Sequence, residues 1–215
     1  MQEKLSSGLM GRLVESLITR GNKKLDRDTA IFNMTTAHDC PSNARGLCPM
    51  RSICYALKAE VQYKSALKFR EHQAELWDNV SVEDFANTVF NIGQKGKLPI
   101  KYLRFNEAGD FRHQADVDKV VAISKEIAKL YGDLDIHGVG VRVYMYTHGK
   151  DLDYTEAIAT NNLTVNGSGF MLNNNFDAIN DITELGEGDW LCNGDCRLCD
   201  ACKFDNDLNI KVLIH

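Results

Sequence analysis

Long apolar runs are missing from this chain, and so is any surplus of positive charge. The longest apolar stretches, such as residues 139–143 with Arg142 interrupting them, fall far short of the ~20 residues needed to cross a bilayer. The formal net charge of -5 gives no general attraction to nucleic acid or to an anionic membrane surface. Nucleic-acid binding is therefore disfavoured, and no membrane partner is expected. A secretory leader is not expected either. The start of the chain sets Leu5, Leu9, Met10, Leu13, Val14, Leu17 and Ile18 at helical spacing among Lys4, Arg12, Glu15 and Arg20, which predicts an amphipathic N-terminal helix within residues 1–28. Proline is scarce too, and two of the three prolines directly follow cysteine, in Cys40-Pro41 and Cys48-Pro49.

Cysteine is what the chain does hold. There are seven, and every one belongs to a cluster. Cys192, Cys196, Cys199 and Cys202 fall within eleven residues in the spacing C-x3-C-x2-C-x2-C, and Cys40, Cys48 and Cys54 form a group far upstream. Short gaps of two and three residues let one loop reach several irons of a cubane, as in ferredoxin-type ligand runs. Structural zinc sites also take four thiolates, but usually as two C-x2-C pairs parted by a longer insert, which the tail lacks. Disulfides suit short secreted chains, and here the count is odd and the length is 215 residues. Thiols left unpaired fit a reducing cytoplasm.

Cys-Pro is itself a feature of cluster-binding loops. Proline fixes its own backbone and biases the preceding residue to extended geometry, so the chain turns away once the thiolate has been delivered. The upstream trio completes neither a cubane nor a zinc tetrahedron unaided. The seven thiols divide in several ways: a tail quartet with one cluster and a trio with a second that leaves an iron open, a crossover in which Cys202 completes the trio, or one cluster fed from both ends. His38, two residues before Cys40, is a candidate non-cysteine ligand.

Length and a 44% hydrophobic content suit one globular domain over 1–215. Residues 29–34 (TAIFNM) predict a strand, residues 53–77 a helix, and Ser81 the cap of another helix ended by Gly93 and Gly96. Then strand, loop and helix alternate: 100–105, 115–131, 141–146, 154–160 and 163–165, with 209–214 as a closing or edge strand. Such alternation predicts an α/β fold, a parallel sheet or partial barrel with flanking helices and cysteine-rich metal-binding loops. Ligands of such sheets collect at the carboxyl ends of the strands. The upstream cysteines, the loop Asn106 to Asp110, the segment Thr147 to Lys150 and the small-residue loop Asn166 to Gly169 each follow a strand.

Within those loops, Glu107 and Asp110 are candidate acid-base groups, with Arg104 and Arg112 as salt-bridge partners, although loop electrostatics explain the same residues. Gly167 and Gly169 permit close backbone approach, but no phosphate-binding fingerprint surrounds them. His148 is a candidate to face the strand ends. The run Asn173-Asn174-Asn175 reads as a polar loop.

The pattern of Cys40-Pro41, Leu47-Cys48 and Cys54-Tyr55-Ala56, followed by a strand carrying Arg104, by Gly109-Asp110-Phe111 and by the clustered tail cysteines, resembles the phage gene product 88 proteins over roughly residues 30 to 204. The resemblance implies a viral origin, a host-cytoplasmic setting and a cysteine-rich α/β protein, with Cys40, Cys48, Cys54, Cys192, Cys196, Cys199 and Cys202 as metal ligands. A looser resemblance is to radical S-adenosylmethionine enzymes, whose C-x3-C-x2-C spacing Cys192, Cys196 and Cys199 match. In those enzymes the motif follows the first barrel strand, where this chain instead has C-x7-C-x5-C. That likeness implies S-adenosylmethionine as a cofactor.

The expectation is thus an iron-sulfur protein with one or two 4Fe-4S clusters, serving electron transfer or redox and radical-type enzymology with a redox partner or a small-molecule ligand. The rival expectation is a zinc-stabilised interaction or nucleic-acid-binding module.

Overall fold

Helix α1 (Ser7–Leu17) buries Met10 and Val14 and leads to buried Ile18, one face of a helix at four-residue steps. The structure, a computed structural model, describes residues 7–95, 98–131, 140–204 and 207–214. The helix expected within 1–28 therefore ends at Leu17, with residues 1–6 outside the described residues. Beyond it the chain becomes extended as β1 (Thr19–Arg20), because Ala30 and Ile31 of β2 (Thr29–Phe32) offer an antiparallel ladder. Asn22 closes the intervening turn, its Oδ1 accepting from the amides of Lys24 and Leu25.

After β2 come α2 (Pro41–Ala44), α3 (Tyr55–Gln62), α4 (Lys64–Asn79) and α5 (Val82–Lys95). The helix expected over 53–77 is two helices, since Tyr63 leaves helical geometry at φ -120° and ψ 98°. Ser81 does cap α5, accepting the Asp84 amide at 3.0 Å. Gly93 lies within α5 rather than ending it. It is small because the Tyr131 hydroxyl fills the space a Cβ would take and donates to the Val89 and Phe90 carbonyls.

The rest alternates as expected: β3 (Tyr102–Phe105), α6 (Gln114–Tyr131), β4 (Arg142–Thr147), α7 (Thr155–Ile158) and β5 (Leu163–Ser168). Then β6 (Asn174–Ile179), the two-residue β7 (Trp190–Leu191) and β8 (Asn209–Leu213) follow. The eight strands form one sheet in the order β1-β2-β3-β4-β5-β6-β8-β7, parallel throughout except for β1. Two expectations change. Residues 166–168 are strand, not loop, and Asn174 and Asn175 open a strand that pairs with them. Residues 209–213 are an interior strand, between β6 and β7.

Period-two alternation gives this sheet two unlike faces. Ala30, Phe32, Leu103, Phe105, Val143, Met145, Leu163 and Val165 point one way into a single core with α1, α4, α5 and α6. There Phe32, Trp77, Phe85 and Phe105 pack ring against ring at centroid distances of 5.0–6.3 Å. The intervening residues, Tyr102, Arg104, Arg142, Tyr144, Tyr146, Thr164, Asn166 and Asn174, are in register across the other face. That face is polar, and the cysteine-rich tail covers it.

Candidate functional site

The upstream loop leaves the carboxyl end of β2 and returns as α3. Cys40 precedes Pro41 at the start of α2, and Cys54 holds the equivalent position before α3, neither thiol capping its helix. Cys48 lies between them, and its amide, like that of Leu47, binds the Ser42 carbonyl. The main-chain amides of Ser42 and Asn43 oppose the upward push of burial on the Cys40 thiol, and that of Met50 does the same for Cys48. The Cys40 thiol feels Cys48, and the Cys48 thiol feels Cys54.

Buried carboxylates fix this loop. Asp110 accepts from Ser42 Oγ at 2.7 Å, Thr147 Oγ1 at 2.7 Å, the His148 amide at 2.8 Å and the Phe111 amide at 2.8 Å. It ties the loops after β2, β3 and β4 together. Glu60 accepts from the amides of Ala37 and His38 and pairs with Arg70 at 2.9 Å, both side chains largely buried. Gly109 is required beside Asp110, since at φ +74° its Cα lies so close to Thr35 that any Cβ would collide.

The tail crosses the polar face at a steep angle to the strands. Tyr102 of β3 reaches Asp200 at 3.4 Å, and Arg142 and Thr164 of β4 and β5 both bind the Lys203 carbonyl at 3.0 Å. Asn166 donates to the carbonyls of Met145 and Cys202, while Asn174 donates to Asn166 Oδ1 and to the Phe204 carbonyl. Tyr146 donates to Cys202 Sγ at 2.7 Å. Lys203, buried, lies 4.1 Å from the Tyr102 ring centroid and donates to the Cys196 carbonyl and Asp200. These bonds gather the quartet: Cys196 feels Cys192 and Cys199, and Cys202 feels Cys196 and Cys192.

Arg104 lies beside the tail thiols and near Tyr55 of the upstream loop. Its guanidinium carbon is 5.0 Å from the Tyr146 ring centroid. Its charge acts on Cys196 and Cys202 of the tail and on Tyr55, the neighbour of Cys54 in the loop. Buried polar atoms without a hydrogen-bond partner among the described residues are concentrated on this strand and the next: Arg104 Nε, both amide atoms of Asn106, and Tyr144 Oη, with Asn175 Oδ1 further off. Asn106 also holds a positive φ of 57°, uncommon for a residue other than glycine.

All seven thiols are half-buried and none forms a disulfide. Burial pushes the Cys40 and Cys202 thiols up to about 11 and those of Cys48 and Cys196 upward as well; Arg104 opposes the rise at Cys196 and Cys202. Such thiols stay protonated at neutral pH unless a cation displaces the proton. Among the described residues, no three His, Cys, Asp or Glu side chains are gathered as one metal ion would need. In donor chemistry the quartet matches the four thiolates of a cubane, the trio leaves one position open, and a hydrogen bond to sulfur such as that of Tyr146 to Cys202 is of the kind that tunes cluster potentials.

Other candidates move apart from the site. Asp110 has its acceptor capacity filled, which does not suit a proton-transfer role, and Glu107 is held by Asn22 at 2.5 Å with Arg70 at 3.8 Å. Arg112 pairs with Asp116 at 2.8 Å and Asp78 at 2.6 Å, not with the carboxylates of the Asn106 to Asp110 loop. His38 is exposed and turned to Asp39 at 2.9 Å. His148 stays near the strand ends, its ring held below the usual histidine range by burial despite Asp110 and Asp177. Asn166 and Asn174 were expected only as loop residues and Tyr144 and Tyr146 only as strand residues, with no part in holding the tail. Alternation with Arg104 and Arg142 in adjacent strands was the available signal for the tyrosines.

Residues 16–185 match a family model described as gene product 88. No curated protein and no solved structure matches the chain. Among the described residues, no helix is long and apolar enough to cross a membrane.

Proposed function

The chain belongs to the gene product 88 family, and from that premise we propose that it is a phage-encoded iron-sulfur protein acting in redox chemistry in the host cytoplasm. Cys192, Cys196, Cys199 and Cys202 would hold one 4Fe-4S cluster. Cys40, Cys48 and Cys54 would hold a second, with one iron left for a small ligand. The observation that carries this reading is the separation of seven disulfide-free thiols into two sets, every thiol that acts on Cys40, Cys48, Cys196 or Cys202 being drawn from the same set.

Several features support the division. The trio lies at the carboxyl end of the first parallel strand, where ligands of α/β sheets collect. Asp110, the carboxylate nearest Cys40 and Cys48 by its charge, is saturated by hydrogen bonds, so it does not compete for the open position. Bound clusters would supply one-electron transfer. The chain's own residues would supply the rest: Arg104 as a positive charge beside Cys196 and Cys202, and Tyr146 as a donor to Cys202.

Anaerobic purification followed by iron, sulfide and zinc analysis tests the proposal. A brown protein with about eight irons and eight sulfides per chain is expected for two cubanes. Cys199→Ala and Cys48→Ala should each halve that content. A colourless protein carrying zinc alone overturns the iron-sulfur reading, and a single four-iron cluster lost in both variants overturns the division.

A further inference from the structure

Of the five buried polar atoms without a hydrogen-bond partner among the described residues, four lie on three residues of β3, its end and β4: Arg104 Nε, Asn106 Nδ2 and Oδ1, and Tyr144 Oη. Arg104 and Tyr144 are register partners on β3 and β4, so their side chains rise side by side from the polar face. Asn106 ends β3 two residues later, its amide still bonded to the Phe32 carbonyl of β2. Folded proteins satisfy nearly all buried polar groups, so an orphaned set on adjoining strands needs a partner from outside the chain. We infer that Arg104, Tyr144 and Asn106 bind a small organic acid bearing a hydroxyl or amino donor beside its carboxylate.

The chemistry of the orphans selects that ligand. A guanidinium presents parallel N–H groups that match a carboxylate, and no carboxylate of the described residues forms an ion pair with Arg104. The Tyr144 hydroxyl adds a donor, and so does Asn106 Nδ2. Asn106 Oδ1 is an acceptor and asks for a donor on the same molecule. Inorganic sulfide of a neighbouring cluster would answer the three donors and leave that carbonyl unmatched. Charge also discriminates. Glu107 acts electrostatically on both Arg104 and Tyr144, so one negative charge is better tolerated here than the two of a phosphate group. Tyr55, exposed and next to Cys54, donates to the Glu107 carbonyl along the border of this region and shares the Arg104 field. The ligand would lie beside the tail thiols, since Arg104 acts on Cys196 and Cys202 and both of these act on Tyr144. The inference stands on the orphaned atoms and does not rest on the iron-sulfur reading.

Thermal unfolding of the full chain, as purified, tests it with glycolate, acetate and inorganic phosphate at matched ionic strength. Saturable stabilisation is expected with glycolate, weaker stabilisation with acetate, and none beyond chloride with phosphate, since a ligand that binds only the folded state raises its stability with concentration. Arg104→Gln should abolish the glycolate response. Tyr144→Phe keeps the ring and its packing, and should weaken apparent affinity roughly tenfold, the scale of one lost hydrogen bond to a charged group. Lys150→Gln, at an exposed cation away from the set, should leave the response unchanged. Equal stabilisation of wild type, Arg104→Gln and Tyr144→Phe, or no response to glycolate in wild type, overturns the proposal. Iron content is measured on the same samples, so a glycolate response without iron sinks the cluster reading alone, and iron without a response sinks this one alone.

Discussion

The two faces of the sheet are built from the same strands and held by different physics. On the helical side, Leu103, Phe105, Val143 and Val165 are each fully buried in one continuous core. On the tail side, each strand contributes tyrosine, arginine, threonine or asparagine, and the covering segment is coil with a single short 3-10 turn, Ala201–Lys203. Apolar burial is non-directional and grows with area, so the first face tolerates exchange of similar side chains. The second depends on individual hydrogen bonds, each modest in net worth and costly when left half-made. One face therefore sets whether the chain folds, and the other sets where its thiols lie.

The largest expected effect breaks the first face. Phe105→Ala removes a ring packed against Phe32, Trp77 and Phe85 and should cost about 3–5 kcal/mol, read as a lowered denaturation midpoint. A loss below about 1 kcal/mol would show that the aromatic cluster is not the centre of the core.

If the proposed clusters are bound, metal removal is next in size, since metal binding and folding are coupled. Chelation under anaerobic conditions should raise hydrogen exchange at residues 192–204 and at the loop 40–54 while leaving α4, α5 and α6 protected. Uniform loss of protection would mean that the two faces do not separate energetically.

Asn166→Ala isolates the tail without touching a thiol. It removes donors to the Met145 and Cys202 carbonyls and the acceptor for Asn174, an effect of about 1–3 kcal/mol. Faster exchange confined to residues 200–208 is the expected signature, together with lowered retention of tail-bound metal.

The smallest effect is a matter of pH. In the metal-free protein the Cys40 and Cys202 thiols ionise near pH 11, above their ordinary value of 9.0. A folded-state pKa raised in this way stabilises the fold fully below pH 9, and the contribution is lost as pH rises from 9 towards 11. Denaturant midpoints should therefore fall across that window for the metal-free form. Cys202→Ser should flatten the decline, and an unchanged slope in that variant would place the ionising group elsewhere.

How much of this was legible beforehand follows the same divide. Helices and strands facing the core announce themselves by period: Tyr102–Phe105 alternates, and Ser81 precedes an amphipathic run that it does cap. Residues 166–168 and 174–175 did not, because asparagine and glycine are poor strand formers and usually mark turns. They are strands here because their amides bond one another and the tail, a benefit invisible until distant segments meet. Gly93 misled for a related reason, being small to admit Tyr131 and not to end a helix. The carboxylates were visible as residues but not in their role, since the four hydrogen bonds at Asp110 arrive from three separate loops.

Local chain chemistry by itself determined the α/β alternation, the two cysteine clusters and the placing of the first of them after a strand, because periodicity, turn residues and spacing are properties of neighbours. Only the tertiary structure decided that the tail lies across the polar face, that Arg104 falls beside Cys196 and Cys202, and that Asn106 and Tyr144 are left with unmatched polar atoms. Those facts depend on which remote segment covers which face, and a buried hydrogen bond is gained or lost only when that cover is in place.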